Sequence, residues 1–356
     1  MIKGIDIRSK VGGQRSVIAA FQAAFNGNDG ALPSSFSINE LNALHTMCLF
    51  NLNWFRRLAS VLMCFTICQG QVEVDPAGSR SEQLRATFED ATDPTVLVVT
   101  HRANFGGAPE NSREAVIKAI EGGVDMIEID IRRSKDGHFV VMHDATVDRT
   151  TNGTGPVGKL SLEELEVLQL RYPDGSLSSQ TVPSLESVLL LAKDKVLVNL
   201  DKAEPYFEEL IPILEATGTT RQVLLKGPQS KDEFDRLIGG QNEVLYMRKV
   251  SFKKSKKAAA LNTWPAFQPE LSMVEVKFGS LEDALVSKSV FENLKAQNVR
   301  AWVNTLKVSS SAGLTDKRAL KDPDQVWGVL IDQGFSIIQT DEPEALLDYL
   351  QARGRR

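Results

Sequence analysis

The stretch Met126-Ile127-Glu128-Ile129-Asp130-Ile131 is one of eight short, β-branched apolar runs that follow one another from residue 95 onward. Nearly all of these runs are followed by a stretch with helical periodicity. Eight strand–helix repeats over about 255 residues predict an α/β protein with a (β/α)8 TIM barrel. A doubly wound open sheet is the alternative that periodicity leaves open. The predicted strands are 96–100, 126–131, 196–201, 223–226, 244–247, 273–276, 301–304 and 337–340.

An additional strand-like run, 138–143, comes too soon after Ile131 for a parallel connection, which needs a dozen or more residues. We therefore predict an antiparallel hairpin excursion that turns at Asp136-Gly137. The segment 150–183 is rich in Gly, Ser and Thr. It is predicted to form a second, short excursion over an open barrel mouth.

The first 94 residues differ from the rest of the chain. Residues 1–46 show weak periodicity, whereas Arg56-Arg57 precedes an apolar run at 58–68 and then Gln69-Gly70. This order is typical of a cleaved secretory signal, and the run is short for a membrane span. We expect a doubtful extension at 1–46 with translation from Met47, a signal at 47–70, a linker at 71–94 and the barrel domain at 95–356. A signal anchor or a buried amphipathic helix is the alternative.

The composition bears on partners and location. The net charge of −5 at pH 7 gives no support for a nucleic-acid partner. The basic run 253–257 is interpreted as a solvated loop or helix start. All three cysteines lie at or before the predicted cleavage point, so the mature protein would contain no thiol. We expect a secreted or periplasmic protein without a stable membrane span, and the oligomeric state stays open.

The predicted strand ends carry the residues that can do chemistry, because active sites of such barrels lie at the carboxyl ends of the strands. Glu128 and Asp130 project to one face of the second strand, since side chains alternate. His143 ends the hairpin run 138–143. The first three strand ends together supply His101, Arg102, Glu128, Asp130, Asp201 and Lys202.

The acidic residues of this set predict a metal site. Oxygen ligands from Glu128, Asp130 and Asp201 suit one hard divalent cation, Ca²⁺ or Mg²⁺, better than zinc. Two carboxylates two residues apart also repel each other unless a cation or a base lies between them. The alternative is that Glu128 and Asp130 form ion pairs with Arg132 or Arg133.

Other polar and aromatic residues have two interpretations each. Trp302 and Asn304 end the seventh predicted strand as a candidate substrate wall and polar contact, and core packing is the alternative for the tryptophan. Asp341 follows the last strand as a cap of the final helix or as a site residue. Asn111 is predicted to cap the helix that follows it, and His138 is interpreted as a surface residue.

The order and spacing of several motifs resemble the glycerophosphodiester phosphodiesterase family, whose fold is a barrel like that of phosphatidylinositol phospholipase C. The resemblance covers about residues 96–350. The motifs are His101-Arg102, Pro109-Glu110-Asn111, Glu128-Ile129-Asp130, Ser134-Lys135-Asp136-Gly137, Val140-Val141-Met142-His143-Asp144, Arg149-Thr150-Thr151, Val198-Asn199-Leu200-Asp201, Trp302-Val303-Asn304 and Ile338-Gln339-Thr340-Asp341.

The resemblance implies metal-dependent hydrolysis of glycerophosphodiesters to glycerol 3-phosphate and an alcohol. It implies His101 and His143 as the general acid/base pair, although some descriptions of the family count the second histidine among the metal ligands. The other implied roles are metal ligation by Glu128, Asp130 and Asp201, phosphate contact by Arg102 and Lys202, and support of the site by Glu110.

The chain departs from the family pattern in two motifs. Ala103 stands where the family usually has glycine after His-Arg. The third strand has Asn199-Leu200-Asp201-Lys202 in place of Asn-x-Glu-x-Lys. Aspartate can still ligate, whereas Lys202 would point to the opposite face of an ideal strand. Lys226 is therefore the alternative phosphate contact.

Two other functions compete with this one. A lipid-directed phosphodiesterase that cleaves lysophospholipid or sphingolipid head groups would need an apolar rim, and segment 150–183 shows no obvious exposed hydrophobic loop. A non-catalytic ligand-binding barrel would not need both histidines and three carboxylates. The leaving alcohol is not predicted by any motif.

Overall fold

The computed structural model describes residues 78–240, 243–250 and 273–356. The predicted signal at 47–70 and the basic run 253–257 lie outside these residues. The strands are β1 Leu97–Thr100, β2 Met126–Arg133, β3 Phe139–Val141, β4 Gln169–Arg171, β5 Leu177–Thr181, β6 Leu197–Asp201, β7 Val223–Gly227, β8 Leu245–Val250, β9 Met273–Val276, β10 Arg300–Asn304 and β11 Ile337–Thr340.

Eight of these strands form a closed parallel barrel. Strand β1 pairs with β11 on one side and with β2 on the other. The sheet therefore runs β1-β11-β10-β9-β8-β7-β6-β2 and returns to β1. The predicted (β/α)8 barrel is confirmed, and the open-sheet alternative is wrong.

The hairpin excursion is also confirmed. Strand β3 pairs with β2 in antiparallel register, Ile131 opposite Val141 and Arg133 opposite Phe139. The amide of Gly137 donates to the carbonyl of Ser134 across the turn, and Gly137 has a φ of 91°. A left-handed φ is accessible to glycine without steric cost, which is why the turn lies at Asp136-Gly137.

Helices surround the barrel and close its lower end. They are α1 Arg80–Glu89, α2 Arg113–Glu121, α3 Leu162–Glu166, α4 Leu185–Ala192, α5 Phe207–Thr217, α6 Lys231–Leu237, α7 Lys288–Ala296, α8 Asp316–Ala319, α9 Val329–Gln333 and α10 Pro343–Ala352. Within the described ranges, no helix has the length and apolar character needed to cross a membrane.

The barrel interior has an apolar lower layer and a polar upper layer. Side chains alternate along each strand, so on β2 Met126 faces inward with Glu128 and Asp130, whereas Ile127 packs with the residues that face the helices. The lower layer comprises Leu97, Val99, Met126, Leu197, Leu224, Leu245, Met247, Met273, Trp302 and Ile337. The upper layer of buried or half-buried polar residues comprises Glu128, Asn199, Lys226, Glu275, Asn304 and Gln339.

The predicted linker at 71–94 is not a linker where the structure describes it. Residues 80–89 form α1, which begins at the N-cap Ser79. Phe88 is 1% exposed and packs with the lower layer of the barrel, and Leu84 packs against the same cluster. The helix buries only Ser81, Arg85 and Phe88, so its sequence shows little apolar periodicity and resembles a polar linker.

The predicted cap of α2 is corrected by one residue. The hydroxyl of Ser112, not the side chain of Asn111, accepts the amide of Ala115 at the start of the helix. Asn111 has a φ of 59° and its side chain instead contacts β2. Ser and Asn are both good caps, so local sequence alone does not separate them.

The excursion at 150–183 is a small folded unit. Helix α3 begins with a capping box in which Ser161 and Glu164 exchange side-chain and backbone hydrogen bonds. Strands β4 and β5 pair in antiparallel register. Val147, Leu165 and Leu170 belong to a separate apolar cluster beneath this unit, which holds it in place beside the barrel mouth.

Candidate active site

Three carboxylates meet at the carboxyl ends of β2 and β6. Glu128 and Asp130 lie on the inner face of β2, and Asp130 is opposite Asp201 in the parallel register. Carboxylate oxygens of Glu128, Asp130 and Asp201 lie within 4.8 Å of one another. The structure therefore brings together the three predicted ligands. Arg132 and Arg133 do not pair with them: Arg132 donates to the carbonyl of His143, and Arg133 pairs with Glu209.

Within this acidic triad, the residues Glu128, Asp130 and Asp201, burial and charge repulsion act strongly on Glu128. Burial, together with the charge of Asp130, raises the pKa of Glu128 to about 7. A carboxyl group that resists ionisation for these reasons is stabilised as an anion by any cation that reaches it.

Two lysines supply positive charge to the triad. Burial would lower the pKa of Lys226, but the charges of Asp201, Glu275 and Glu128 outweigh it and raise that pKa. Lys226 Nζ lies 3.1 Å from Asp201 Oδ1. Lys202 Nζ donates to Asp130 Oδ1 and lies 3.5 Å from Asp201 Oδ2. Both lysines are thus in the site.

Lys202 reaches the site although strand alternation would direct it away. Strand β6 ends at Asp201, and Lys202 has a φ of 61°. This left-handed residue breaks the alternation and returns the side chain to the barrel axis. Such a conformation is costly for a residue with a Cβ and is concentrated at functional sites.

His101 lies directly after β1 and is held by a residue from the opposite end of the domain. Its Nδ1 lies 2.7 Å from Asp341 Oδ1. Burial would lower the pKa of His101, but the hydrogen bond to Asp341 and the charge of Glu128 raise it. Asp341 is thus a partner of the histidine, and the N-cap of α10 is Glu342. The sequence indicated Asp341 as a candidate site residue because it directly follows the last strand.

Arg102 is oriented toward the triad by its backbone. It has a φ of 54°, and its amide donates to Glu128 Oε2 at 2.8 Å. Its Nη1 donates to Glu110 Oε1 at 3.0 Å. Its Nε is buried without a hydrogen-bond partner and lies 3.8 Å from Asp130 Oδ2. A buried guanidinium donor without a partner indicates a place for an oxygen atom of a ligand or water.

Glu110 and Asn111 tie the loop before α2 to the same site. The side chain of Asn111 accepts the amide of Asp130 at 3.2 Å and donates to Asp130 Oδ2 at 3.1 Å. Glu110 lies between Arg102 and Arg149, which both donate to its carboxylate. The predicted supporting role of Glu110 is therefore compatible with its position.

His143 forms a second histidine–aspartate pair. Its Nδ1 lies 2.6 Å from Asp144 Oδ1, and Asp144 also accepts Arg149 Nε at 2.7 Å. Sequence reasoning quoted Arg149 as part of a motif but gave it no role. Arg149 lies five residues after Asp144 in the sequence, but this spacing alone does not predict their contact, because the contact depends on the path of the loop.

A cavity of about 600 Å³ opens beside these residues. It is lined on the inside by His101, Arg102, Glu110 and Asp341, and on the outside by residues 171–173 and 175 of the β4–β5 hairpin and by 306–307. Its position next to both the unpartnered donor of Arg102 and the excursion makes it the candidate substrate pocket.

Trp302 does not line this cavity. Its side chain is 0% exposed within the lower layer of the barrel, so the core alternative describes it and the substrate wall does not. Its Nε1 donates to Asn304 Oδ1 at 2.7 Å, and Asn304 in turn donates to Glu275 Oε1 at 3.1 Å. An inward-facing residue one layer below the mouth cannot contact a substrate directly.

The donor set of the triad fits a hard divalent cation. Such ions take oxygen ligands at roughly 2.0–2.6 Å, so two ligands on opposite sides of one ion are separated by about 4–5 Å. The carboxylate oxygens of Glu128, Asp130 and Asp201 meet this requirement. All three donor atoms are oxygens, the type that hard divalent cations prefer.

Comparison with known proteins shows similarity to phosphodiesterases over part of the chain. Residues 101–263 match the glycerophosphoryl diester phosphodiesterase family, and residues 246–350 match a domain of unknown function. A glycerophosphodiester phosphodiesterase of Caldanaerobacter subterraneus is 44% identical over 107 residues, 30% of this chain and 44% of that protein. A human glycerophosphodiester phosphodiesterase 1 is 41% identical over 73 residues, 20% and 22% of the two chains. The chain thus spans less than half the length of these curated relatives.

Solved structures share the barrel over a larger part of the chain. A glycerophosphoryl diester phosphodiesterase from Parabacteroides distasonis has a TM-score of 0.62 at 23% identity, covering 77% of this chain and 92% of that one. An Oleispira antarctica phosphodiesterase, solved with the product sn-glycerol-3-phosphate, has a TM-score of 0.50 at 21% identity, covering 73% and 99%. The part of the chain that carries both histidine motifs and the acidic triad, residues 101–263, is therefore similar to the glycerophosphoryl diester phosphodiesterase family.

Proposed function

We propose that this protein is a metal-dependent phosphodiesterase that hydrolyses glycerophosphodiesters to glycerol 3-phosphate and an alcohol. The observation that carries the proposal is that two histidine–aspartate pairs, an arginine and an acidic triad all lie at or directly after the ends of β1, β2, β3, β6 and β11. Two positioned imidazoles can serve as base and acid, and each proton transfer contributes about 10²–10⁴ in rate.

Glu128, Asp130 and Asp201 would hold the cation, which when bound would supply charge neutralisation for a phosphodiester. Arg102 adds a second positive charge, and its buried Nε is directed to the same region without a partner. Lys226 keeps its proton because carboxylates surround it. These groups favour an anion whose negative charge increases in the transition state.

The two histidines are assigned to the proton transfers. His101 is held by Asp341 through Nδ1, so its Nε2 is directed away from that carboxylate. His143 is held by Asp144 in the same way. One imidazole accepts the proton of the attacking hydroxyl, and the other donates a proton to the departing alkoxide. Ligation by His143 is a less direct fit, because the acidic cluster in the described part of the chain contains only carboxylates.

A lipid-directed phosphodiesterase is the second candidate. Leu177 is 46% exposed and Val308 is 70% exposed. They lie close in sequence to Gly175 and Lys307, which line the cavity. Exposed apolar side chains near a cavity mouth can contact an acyl chain. A lysophospholipid substrate would use the same triad and histidines and would differ in the alcohol or the acyl arm.

The test is release of glycerol 3-phosphate from glycerophosphocholine and glycerophosphoethanolamine by the purified protein, with hydrolysis of a lysophospholipid measured alongside. The reaction is run with Ca²⁺, with Mg²⁺ and with EDTA, and in parallel with the His101→Ala variant. The proposal expects turnover that EDTA and the substitution both abolish. Turnover of lysophospholipid alone would favour the second candidate, and no turnover of either class would favour a non-catalytic barrel.

We also propose that the protein is secreted or periplasmic and that the segment 47–70 is removed on export. The support is the order of paired arginines, apolar run and small residues in the sequence. Expression of the full chain followed by amino-terminal sequencing of the exported product tests this. A new terminus near residue 71 is expected, and an uncleaved protein retained in the cell contradicts it.

A further inference from the structure

Arg149 joins two carboxylates that belong to different parts of the candidate active site. Its Nη1 and Nη2 donate to Glu110 at 2.9 and 2.7 Å. Its Nε and Nη2 donate to Asp144 at 2.7 and 3.0 Å. The planar guanidinium can form paired hydrogen bonds with two carboxylates at once, which a lysine cannot.

Each of these carboxylates in turn holds one of the residues assigned to the reaction. Asp144 Oδ1 lies 2.6 Å from His143 Nδ1. Glu110 accepts Arg102 Nη1 at 3.0 and 3.2 Å. A continuous chain of contacts therefore runs from the imidazole of His143 through Arg149 to the guanidinium directed at the acidic triad.

We propose that Arg149 is a positioning residue that fixes the ring of His143 through Asp144 and the side chain of Arg102 through Glu110. The inference rests on the proposed phosphodiesterase function, since it assigns those two residues to proton transfer and phosphate contact. Arg149 itself need not touch the reacting atoms. It sets the geometry of two groups that do.

The loop that carries Arg149 does not need this side chain in order to fold. The amide of Val147 donates to the carbonyl of Gly155, and that of Thr151 donates to the carbonyl of Val147. Val147 packs in the apolar cluster beneath the excursion together with Leu170. Loss of the guanidinium therefore leaves the backbone of the loop supported.

The exposure of Arg149 indicates that its side chain acts on its neighbours in the site and contributes little to the stability of the fold. Its side chain is 48% exposed, and ion pairs of exposed residues contribute little to stability. The hydrogen bond from Arg149 is nevertheless the main cause that keeps the pKa of Asp144 well below its usual range, with His143 adding to it. Asp144 therefore stays an anion and remains an acceptor for Nδ1–H of His143.

A double-mutant cycle in the full-length protein tests the proposal. Arg149→Gln should lower kcat on the order of 10²-fold, since misplaced catalytic groups cost about that much. In an Asp144→Asn background the same substitution should cost less than it does in the wild type, because the path to His143 is already broken and only the path through Glu110 to Arg102 remains to be lost. Arg149→Lys should behave like the glutamine variant, since it keeps the charge but loses the fork. Independent, multiplying losses or full rescue by lysine would overturn the proposal.

Arg133→Gln is the matched control. Arg133 has a side-chain exposure of 46% and pairs with Glu209, away from both histidines. It should lower kcat less than about two-fold, as expected for an exposed pair. A loss in this variant as large as that of Arg149→Gln would contradict a specific role.

A second readout does not depend on turnover. Nitrogen NMR of histidine-labelled full-length protein reports which ring nitrogen of His143 carries the proton, with His143→Ala used for assignment. The wild type should show one tautomer with the proton on Nδ1, and Arg149→Gln should show a mixture. An unchanged tautomer overturns the positioning role. Absence of turnover in the wild type would refute only the proposed function.

Discussion

Asp341 Oδ1 lies 2.7 Å from Nδ1 of His101, although 240 residues separate them in the chain. The closure of the barrel between β1 and β11 brings the two residues together. The position of Asp341 is itself fixed: its amide donates to Asp316 Oδ2 at 2.9 Å, and its carbonyl accepts Asn104 Nδ2 at 3.0 Å. This carboxylate therefore determines which ring nitrogen His101 presents to the cavity.

Replacement of Asp341 should slow the reaction and shift its pH dependence. Asp341→Asn should lower kcat on the order of 10²-fold, because the histidine loses its fixed orientation. Asp341 contributes to the raised pKa of His101. Its loss lowers that pKa, so the limb of the kcat profile that reports His101 should move to lower pH. A kcat–pH series checks this, with the exposed Asp348→Asn as control; an unmoved limb contradicts the assignment.

Replacement of Glu128 should remove the cation but stabilise the protein without it. The folded-state pKa of Glu128 is about 7 against an ordinary value of 4.5. Its ionisation therefore costs stability as pH rises from about 4.5 to about 7. Glu128→Gln should raise the Tm of the metal-free protein by a few degrees above pH 7, while the Tm increase caused by Ca²⁺ or Mg²⁺ should disappear.

Calorimetry with and without EDTA measures both effects of the Glu128 substitution. Glu275→Gln is the control, since Glu275 is a buried carboxyl of the same polar layer outside the triad. It should leave the cation-induced increase in Tm intact. A cation response that survives in Glu128→Gln would exclude Glu128 as a ligand.

Helix α1 should contribute strongly to stability and little to catalysis. Phe88 is 1% exposed in the lower layer of the barrel. Phe88→Ala should lower the free energy of unfolding by about 3–5 kcal/mol, the usual cost for a buried phenylalanine. Urea unfolding measures this, with the exposed Gln83→Ala expected to stay within about 0.5 kcal/mol. A Phe88→Ala variant of unchanged stability would return the segment to its predicted role as a linker.

The outer wall of the cavity should influence the choice of the alcohol. Arg171 donates to two backbone carbonyls, of Thr151 and Gly175, and Lys307 is exposed at the same wall. Neither charge is balanced by a carboxylate within salt-bridge distance among the described residues. The double substitution Arg171→Gln and Lys307→Gln should lower kcat/KM more for diesters whose alcohol carries a carboxylate or phosphate than for glycerophosphocholine.

Substrate competition at low salt measures this selectivity. Lys288→Gln, on the exposed start of α7, is the control and should leave the ratio unchanged. Equal losses of kcat/KM for diesters with anionic and with cationic alcohols would show that Arg171 and Lys307 do not discriminate substrates by charge.

The sequence by itself predicted the eight strand–helix repeats and the chemistry at the strand ends, whereas the closure of the sheet was decided by the pairing of β1 with β11 and β2. Strand alternation is a local property, so the pattern of β2 alone placed Glu128 and Asp130 on one face, and the eight repeats predicted a closed sheet whose strand ends meet. His101, Arg102 and Asp201 could be assigned to the same edge for that reason. Lys202 could not, because one left-handed residue reverses the direction that alternation predicts.

Only the tertiary structure decided which groups are partners. Asp341 reaches His101 through the closure of the barrel, and Arg149 reaches Glu110 through the path of a loop. The depth of Trp302 likewise follows from its layer inside the barrel, which a local pattern does not report. Such contacts depend on distances between segments far apart in the chain, whereas the periodicity of a sequence describes only the faces of each segment.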